Sequence, residues 1–246
     1  MTGLPRLYGD LAPWFHLLTA PEEYADEAKV YRALLEEGTD GEVRTVLELG
    51  SGGGNNASHL KRRFEMTLTD VSPEMLAMSR SINPESEHVE GDMRTLHLGR
   101  TFDAVFVHDA VDYMTTRQDL RAAMATAFAH LRPGGVALFV PDFIRERFAP
   151  RTSHGGKDDG ARGLRYLEWD WDPDPNDETY LVDFALLLRD EDGTVRVEHD
   201  RHECGVFARH TWLDLLADVA FRPEARVIHV DEDEVASEAF LGHRAG

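Results

Sequence analysis

A single cysteine, Cys204, excludes a disulfide within the chain. It reads as a buried thiol in a reduced, cytoplasmic protein. Basic residues are also scarce: 26 Lys and Arg stand against 46 Asp and Glu, a formal net charge of −20. Such a surface repels phosphate backbones, so neither nucleic acid nor an anionic membrane is expected as a partner. No apolar run reaches the length of a bilayer span, and the first residues lack a basic segment followed by an apolar core, so neither anchoring nor export is expected. What remains is a globular composition. With 42% hydrophobic residues, the chain can bury a sizeable core as one domain, 1–246, carrying an elaboration.

The most informative stretch is VLELGSGGGNNASHL, residues 46 to 60. A strand runs into glycines and then a helix start, which brings backbone close to a ligand and aims free N–H groups at it. A third glycine in dinucleotide spacing is missing. Gly50, Gly52 and Gly54 read G-x-G-x-G, and Asn55 stands where G-x-G-x-x-G requires glycine, so a pyrophosphate fits less well than a smaller anionic end such as an amino-acid carboxylate.

Further strands follow at regular intervals. MTLTD, residues 66–70, ends on Asp70, twenty positions after Gly50, where open α/β sheets place the acid that takes ribose hydroxyls. HVEGDM (88–93) ends a third strand, FDAVFVHDAV (102–111) is a buried fourth, and LRPGGVALFVPD (131–142) supplies a turn and a fifth. Helix-length segments separate them, which predicts a doubly wound, mostly parallel sheet with its ligands at the carboxyl edge.

In this order, E-L-G-S-G-G-G, T-D-V-S-P-E-M-L, G-D-M, F-D-A-V and L-R-P-G-G resemble the class I S-adenosylmethionine (SAM) dependent methyltransferases. The resemblance covers 43–143 and implies a Rossmann-like α/β fold with a seven-stranded sheet and SAM as cofactor. It implies that Gly50, Ser51 and Gly52 lie against the methionine part, that Asp70, with Val71 beside it, binds the ribose, and that Asp92 accepts from the adenine amino group. Met93 would then present its N–H and side chain to the adenine, with His108 beside the methionine. In layout the chain is similar to the amino-sugar N,N-dimethyltransferases and glycine N-methyltransferase relatives, which implies a small-molecule acceptor, N rather than O methylation, and a monomer or homodimer. The alternatives are a nicotinamide-dependent dehydrogenase and a SAM-binding sensor without transfer.

The segments outside this shared core are expected to determine the substrate. Residues 1–40 read as cover helices: Leu4, Leu7, Tyr8, Leu11, Phe15 and Leu18 recur at helical spacing around Pro13, and a second helix opens with Thr19 and Glu22 in capping-box spacing and closes at Gly38. By the resemblance, Tyr8 closes over the cofactor. Residues 144–205 read as a lid and an antiparallel flap, and 206–246 as the last helix and strands. The loop 145–165 is a basic island with four glycines, which predicts a mobile lid whose Arg151 and Lys157 hold an anionic group, with Tyr166 and Trp169 of the flap beside them. Two residues are candidates for the base, His154 in that loop and Tyr113 in DAVDYM. At the latter position the resembled sugar enzymes carry histidine. No metal site is expected: His199 and His202 alternate across a strand and read as structural, and Asp109 and Asp112 lack a third ligand.

Overall fold

The computed structural model describes residues 4–229 and 237–246. The chain opens with two 3-10 turns, Arg6–Tyr8 and Ala12–Trp14, then α1 (Phe15–Leu18), a third turn at Pro21–Tyr24, and α2 (Ala25–Gly38). This corrects the expectation of a kinked helix from Leu4. Pro13 sits in the first turn of the second 3-10 element, where its missing N–H costs nothing, and Gly9 ends the first. The capping box shifts by one residue for the same kind of reason. Pro21 starts the turn, so the amide of Ala20 donates to Glu23 at 3.1 Å, while the Thr19 hydroxyl donates to the Tyr24 phenol.

The central layer follows in βα repeats: β1 (Thr45–Leu49), α3 (Asn55–Leu60), β2 (Glu65–Asp70), α4 (Pro73–Ile82), β3 (Glu87–Glu90), β4 (Phe102–His108), α5 (Arg117–Ala129) and β5 (Leu131–Val140). Strands β1, β2, β3, β4 and β5 pair in parallel. Their near-continuous Val, Leu, Phe and Ala composition suits burial on both faces. One apolar cluster lies on each side of the sheet. Arg132 to Gly135 loop out of register between the Leu131 and Val136 pairings, which is where the Pro-Gly-Gly turn was expected.

After β5 the chain forms a second sheet from β6 (Arg151–Gly155), β7 (Asp158–Asp159), β8 (Arg162–Trp171), β9 (Thr179–Arg189) and β10 (Val195–Gly205), then returns through α6 (Arg209–Asp218), β11 (Arg222–Ile228) and β12 (Ser237–His243). The large sheet has the order β11-β12-β5-β4-β1-β2-β3, with β12 antiparallel to both neighbours. Val230, expected at the end of β11, lies outside the described residues. The second sheet, β10-β9-β8-β6 with β7 against β8, is wholly antiparallel. Alternation along β9 buries Tyr180, Val182, Phe184, Leu186 and Leu188 against Leu7, Leu11 and Trp14 of the N-terminal turns.

The expected glycine-rich lid is therefore an edge strand and a hairpin. Gly156 takes φ +117°, and a Cβ there would meet the Leu164 carbonyl oxygen at 2.2 Å. A Cβ on Gly155 would meet the Tyr166 ring at 2.9 Å. These glycines serve close packing of one strand on another.

Candidate active site

Strand order reverses between β1 and β4, and the carboxyl ends of the strands there open into a cavity of about 590 Å³. The glycine turn forms its floor. The amides of Gly50 and Ser51 both donate to the Thr69 carbonyl at 2.8 Å, and Gly50 takes φ +73°. A Cβ on Gly50 would lie 2.3 Å from that of Ala110, so the turn and the end of β4 touch through the missing side chain. Asp70 braces the same turn: its carboxylate accepts from the Gly52 amide at 2.8 Å and from the Ser72 amide at 2.9 Å. Burial raises its pKa, and those amides oppose the rise.

Two charged clusters flank the floor. Glu48, at the end of β1, is buried, and burial lifts its carboxyl to about 8 although His108 pulls the other way. His108 lies 2.9 Å from Asp109 and 3.3 Å from the Asn56 amide. Burial opposes its charge, but Asp109 and Glu27 outweigh burial and raise it to about 10. Asp109 itself takes φ +42°, a strained backbone for a residue with a side chain. On the other flank Asp92 accepts from the Arg94 guanidinium at 2.6 to 3.0 Å, which holds its pKa below the ordinary value.

Tyr8 and Tyr113 wall the cavity from the N-terminal turn and from the 3-10 turn Ala110–Tyr113. Their rings meet edge to face at 5.6 Å with the oxygens 2.9 Å apart. Burial pushes both phenols well above the usual range. Tyr113 is backed by His202, whose Nδ1 is 2.7 Å from its oxygen.

Of the residues expected at the site, Tyr8, Gly50, Ser51, Gly52, Asp70, Val71, Asp92, Met93, His108 and Tyr113 all line this one cavity. The others do not. His154 is exposed on the edge strand β6, opposite Leu167, so it is no base for this cavity. Arg151 pairs with Asp170 at 2.5 Å and lies over the Phe143 ring. Lys157 pairs with Glu23, Tyr166 packs on the cluster under the flap, and Trp169 stacks on Trp171. Arg145, Arg151, Lys157 and Arg165 of the basic island each pair with a neighbouring acid, because edge strand and flap bring the two signs together.

The sequence marks Asn55 and Asn56 as a helix start suited to a carboxylate, but gives no ligand role to Glu48, which stands beside the glycine stretch. His199 and His202 do face opposite ways: His199 is exposed and bonds Asp183, while His202 is buried. The latter is no bystander, since it touches a cavity residue.

Residues 46–135 match a family model described as a methyltransferase domain. The fold matches Streptomyces venezuelae DesVI with a TM-score of 0.85 at 26% identity, covering 96% of this chain and 99% of that one. In both respects the chain is similar to the class I S-adenosylmethionine-dependent methyltransferases. It is 35% identical over 130 residues to a dTDP-3-amino-3,4,6-trideoxy-alpha-D-glucopyranose N,N-dimethyltransferase of Streptomyces venezuelae, a match over 52% of this chain and 54% of that protein. The chain thus spans about half the length of the curated relatives it matches. SAM-bound CalS10 of Micromonospora echinaspora, an amino pentose methyltransferase, matches with a TM-score of 0.75 at 25% identity over 90% of this chain and 92% of that one.

The cavity fits the cofactor of these similar proteins on its own chemistry. Glu48 Oε2, Ser51 Oγ, Asn55 Oδ1 and Asn56 Oδ1 are buried in its lining without a protein partner. Buried acceptors in that state call for donors from a ligand or water, and SAM carries an ammonium, ribose hydroxyls and an adenine amino group.

Proposed function

We propose that this chain methylates a nitrogen of a small molecule, with SAM as methyl donor and an amino sugar as the acceptor class. One observation carries the reading: the Asp109 carboxylate and the Tyr113 phenol wall the same cavity as the glycine turn. An amine entering beside that turn therefore meets a carboxylate for its charge and a hydroxyl for its N–H. The N,N-dimethyltransferase relatives, named for amino-sugar substrates, support the same choice.

When bound, SAM supplies a sulfonium-activated methyl group, so the chain's task is positioning and exclusion of water, worth roughly 7 to 11 kcal/mol at best. Gly50, Ser51, Gly52 and Glu48 would hold the amino-acid end, where the glycines let the backbone approach. Asp70 would accept both ribose hydroxyls beside Val71, and Asp92 the adenine amino group, with Met93 against the ring. His108, held by Asp109 and Asn56, fixes the end of β4, and Tyr8 closes the cavity from above. Tyr113 is in place to take a proton from the amine.

Calorimetry with SAM, with NAD as control, and mass spectrometry of an acceptor panel test the proposal. The expected result is binding of SAM alone and a methyl gain on amino sugars but not on their hydroxy counterparts. Equal transfer to the hydroxy sugars would sink the nitrogen assignment.

A further inference from the structure

We infer that His202 receives the acceptor's proton through Tyr113, with Asp200 fixing the imidazole tautomer. The inference rests on the N-methylation reading above.

The geometry is a continuous chain of groups from the cavity wall into the protein. The Tyr113 oxygen lies 2.9 Å from that of Tyr8 and 2.7 Å from Nδ1 of His202. Nε2 of His202 lies 3.1 Å from Oδ2 of Asp200. Tyr113 lines the cavity; His202 and Asp200 are 3% and 5% exposed behind it. Asp200 also accepts from the amides of Leu7 at 2.7 Å and Arg6 at 3.2 Å. Burial opposes its charge, but His202 and these amides outweigh it and keep the carboxyl below its usual pKa.

An ionised carboxylate only accepts, so Nε2 of His202 must carry a proton. With Nδ1 unprotonated it is an acceptor, and the Tyr113 hydroxyl, which donates to the Tyr8 oxygen at 2.9 Å, can turn its single proton to Nδ1 at 2.7 Å. That leaves the Tyr113 oxygen free to accept from the cavity. A buried phenol alone makes a poor base here, since it must first lose its own proton. With His202 behind it, it loses and gains one in the same step. An N–H bond of the acceptor ammonium breaks, its electron pair stays on nitrogen, and the proton joins the Tyr113 oxygen. The Tyr113 proton moves to Nδ1, and the resulting imidazolium faces Asp200. In that product state His202 donates to Tyr113, which is then free to donate to Tyr8. One arrangement of heavy atoms serves both states. N,N-dimethylation would use it twice, because the singly methylated nitrogen must shed a proton to recover its lone pair.

The groups facing His202 are limited. Tyr8 comes from the N-terminal turn, Tyr113 from the turn after β4, and the Phe184 ring from β9 at 5.1 Å. Asp200 and Cys204 flank it on β10, while Asp109 and Asp142 act on Tyr8, and Asp142 on Tyr113. Because it acts through Tyr113, His202 is a positioning residue, and so is Asp200.

The test uses the full chain with SAM and the amino-sugar acceptor. Tyr113→Phe and His202→Phe should each lower kcat about 100-fold while SAM affinity stays within about twofold and the acceptor KM changes little. The double variant should be no slower than either single one, since the two act as a unit. A second readout needs no turnover. Imidazole nitrogen shifts of His202, read by NMR on labelled protein, should show the Nε2–H tautomer, move at Nδ1 in Tyr113→Phe, and lose the tautomer preference in Asp200→Asn. Wild-type kcat in His202→Phe, multiplying losses in the double variant, or an Nδ1–H tautomer would overturn the relay. If the wild type methylated no amine, the nitrogen reading would fall while the tautomer still tested the hydrogen-bond chain.

Discussion

At the scale of single residues, the site depends on what glycine omits and on what carboxylates accept. Gly50→Ala places a Cβ 2.3 Å from Ala110 at a positive φ, a strain on the order of 1–3 kcal/mol. Thermal unfolding should show that loss, and calorimetry should show SAM binding weakened with it. Asp70→Asn keeps the size of the side chain but removes the charge that would meet the ribose. At about 1.5–3 kcal/mol for a charged hydrogen bond, SAM Kd should rise roughly 10- to 150-fold. Unchanged affinity would remove Asp70 from the cofactor's contacts. Glu48 makes a prediction about pH. Its folded pKa is about 8 against an ordinary value of 4.5. A carboxyl raised in the folded state binds more protons folded than unfolded, so its contribution is full below about 4.5 and is lost as pH rises towards 8. Urea unfolding of the SAM-free protein across that window should show stability falling with pH, and Glu48→Gln should flatten the slope.

At the scale of elements, periodicity marked the parallel strands and the flap well because each is apolar on the faces it buries. It failed where the partners of an element decide its form. The N-terminal segment carries helical spacing, yet Pro5, Pro13 and Pro21 divide it into turns that pack on β9 and β10. The loop 145–165 carries arginines and glycines, yet Arg151 reaches Asp170 across the β6–β8 pairing. Asp170 is almost fully buried. Arg151→Ala should therefore destabilise the fold by about 1–3 kcal/mol, with half the arginine's surface already in solvent, and leave SAM affinity unaltered. Chemical unfolding and calorimetry on the same variant separate that outcome from a role in acceptor binding, which would raise the acceptor KM instead.

At the scale of the whole molecule, two sheets meet around one cavity, and ligand binding should stabilise both. SAM at one hundred times its Kd adds about 2.7 kcal/mol by mass action, which a rise in melting temperature reports. NAD should give none. What the sequence determined by itself is the sheet and the glycine-turn side of the cavity: the strands β1 to β5, the turn at Gly50 and the acids at Asp70 and Asp92 follow from local rules, since a buried parallel strand, a positive φ and a strand-end carboxylate each leave a mark within a few residues. The opposite wall of the cavity, at Tyr113 and His202, was decided by tertiary structure. Alternation alone turns His202 inward, but its contact with Tyr113 spans 89 positions, and Asp200 finds the amides of Arg6 and Leu7 from the far end of the chain. Such groupings depend on which elements pack together, and no local pattern in the sequence records that.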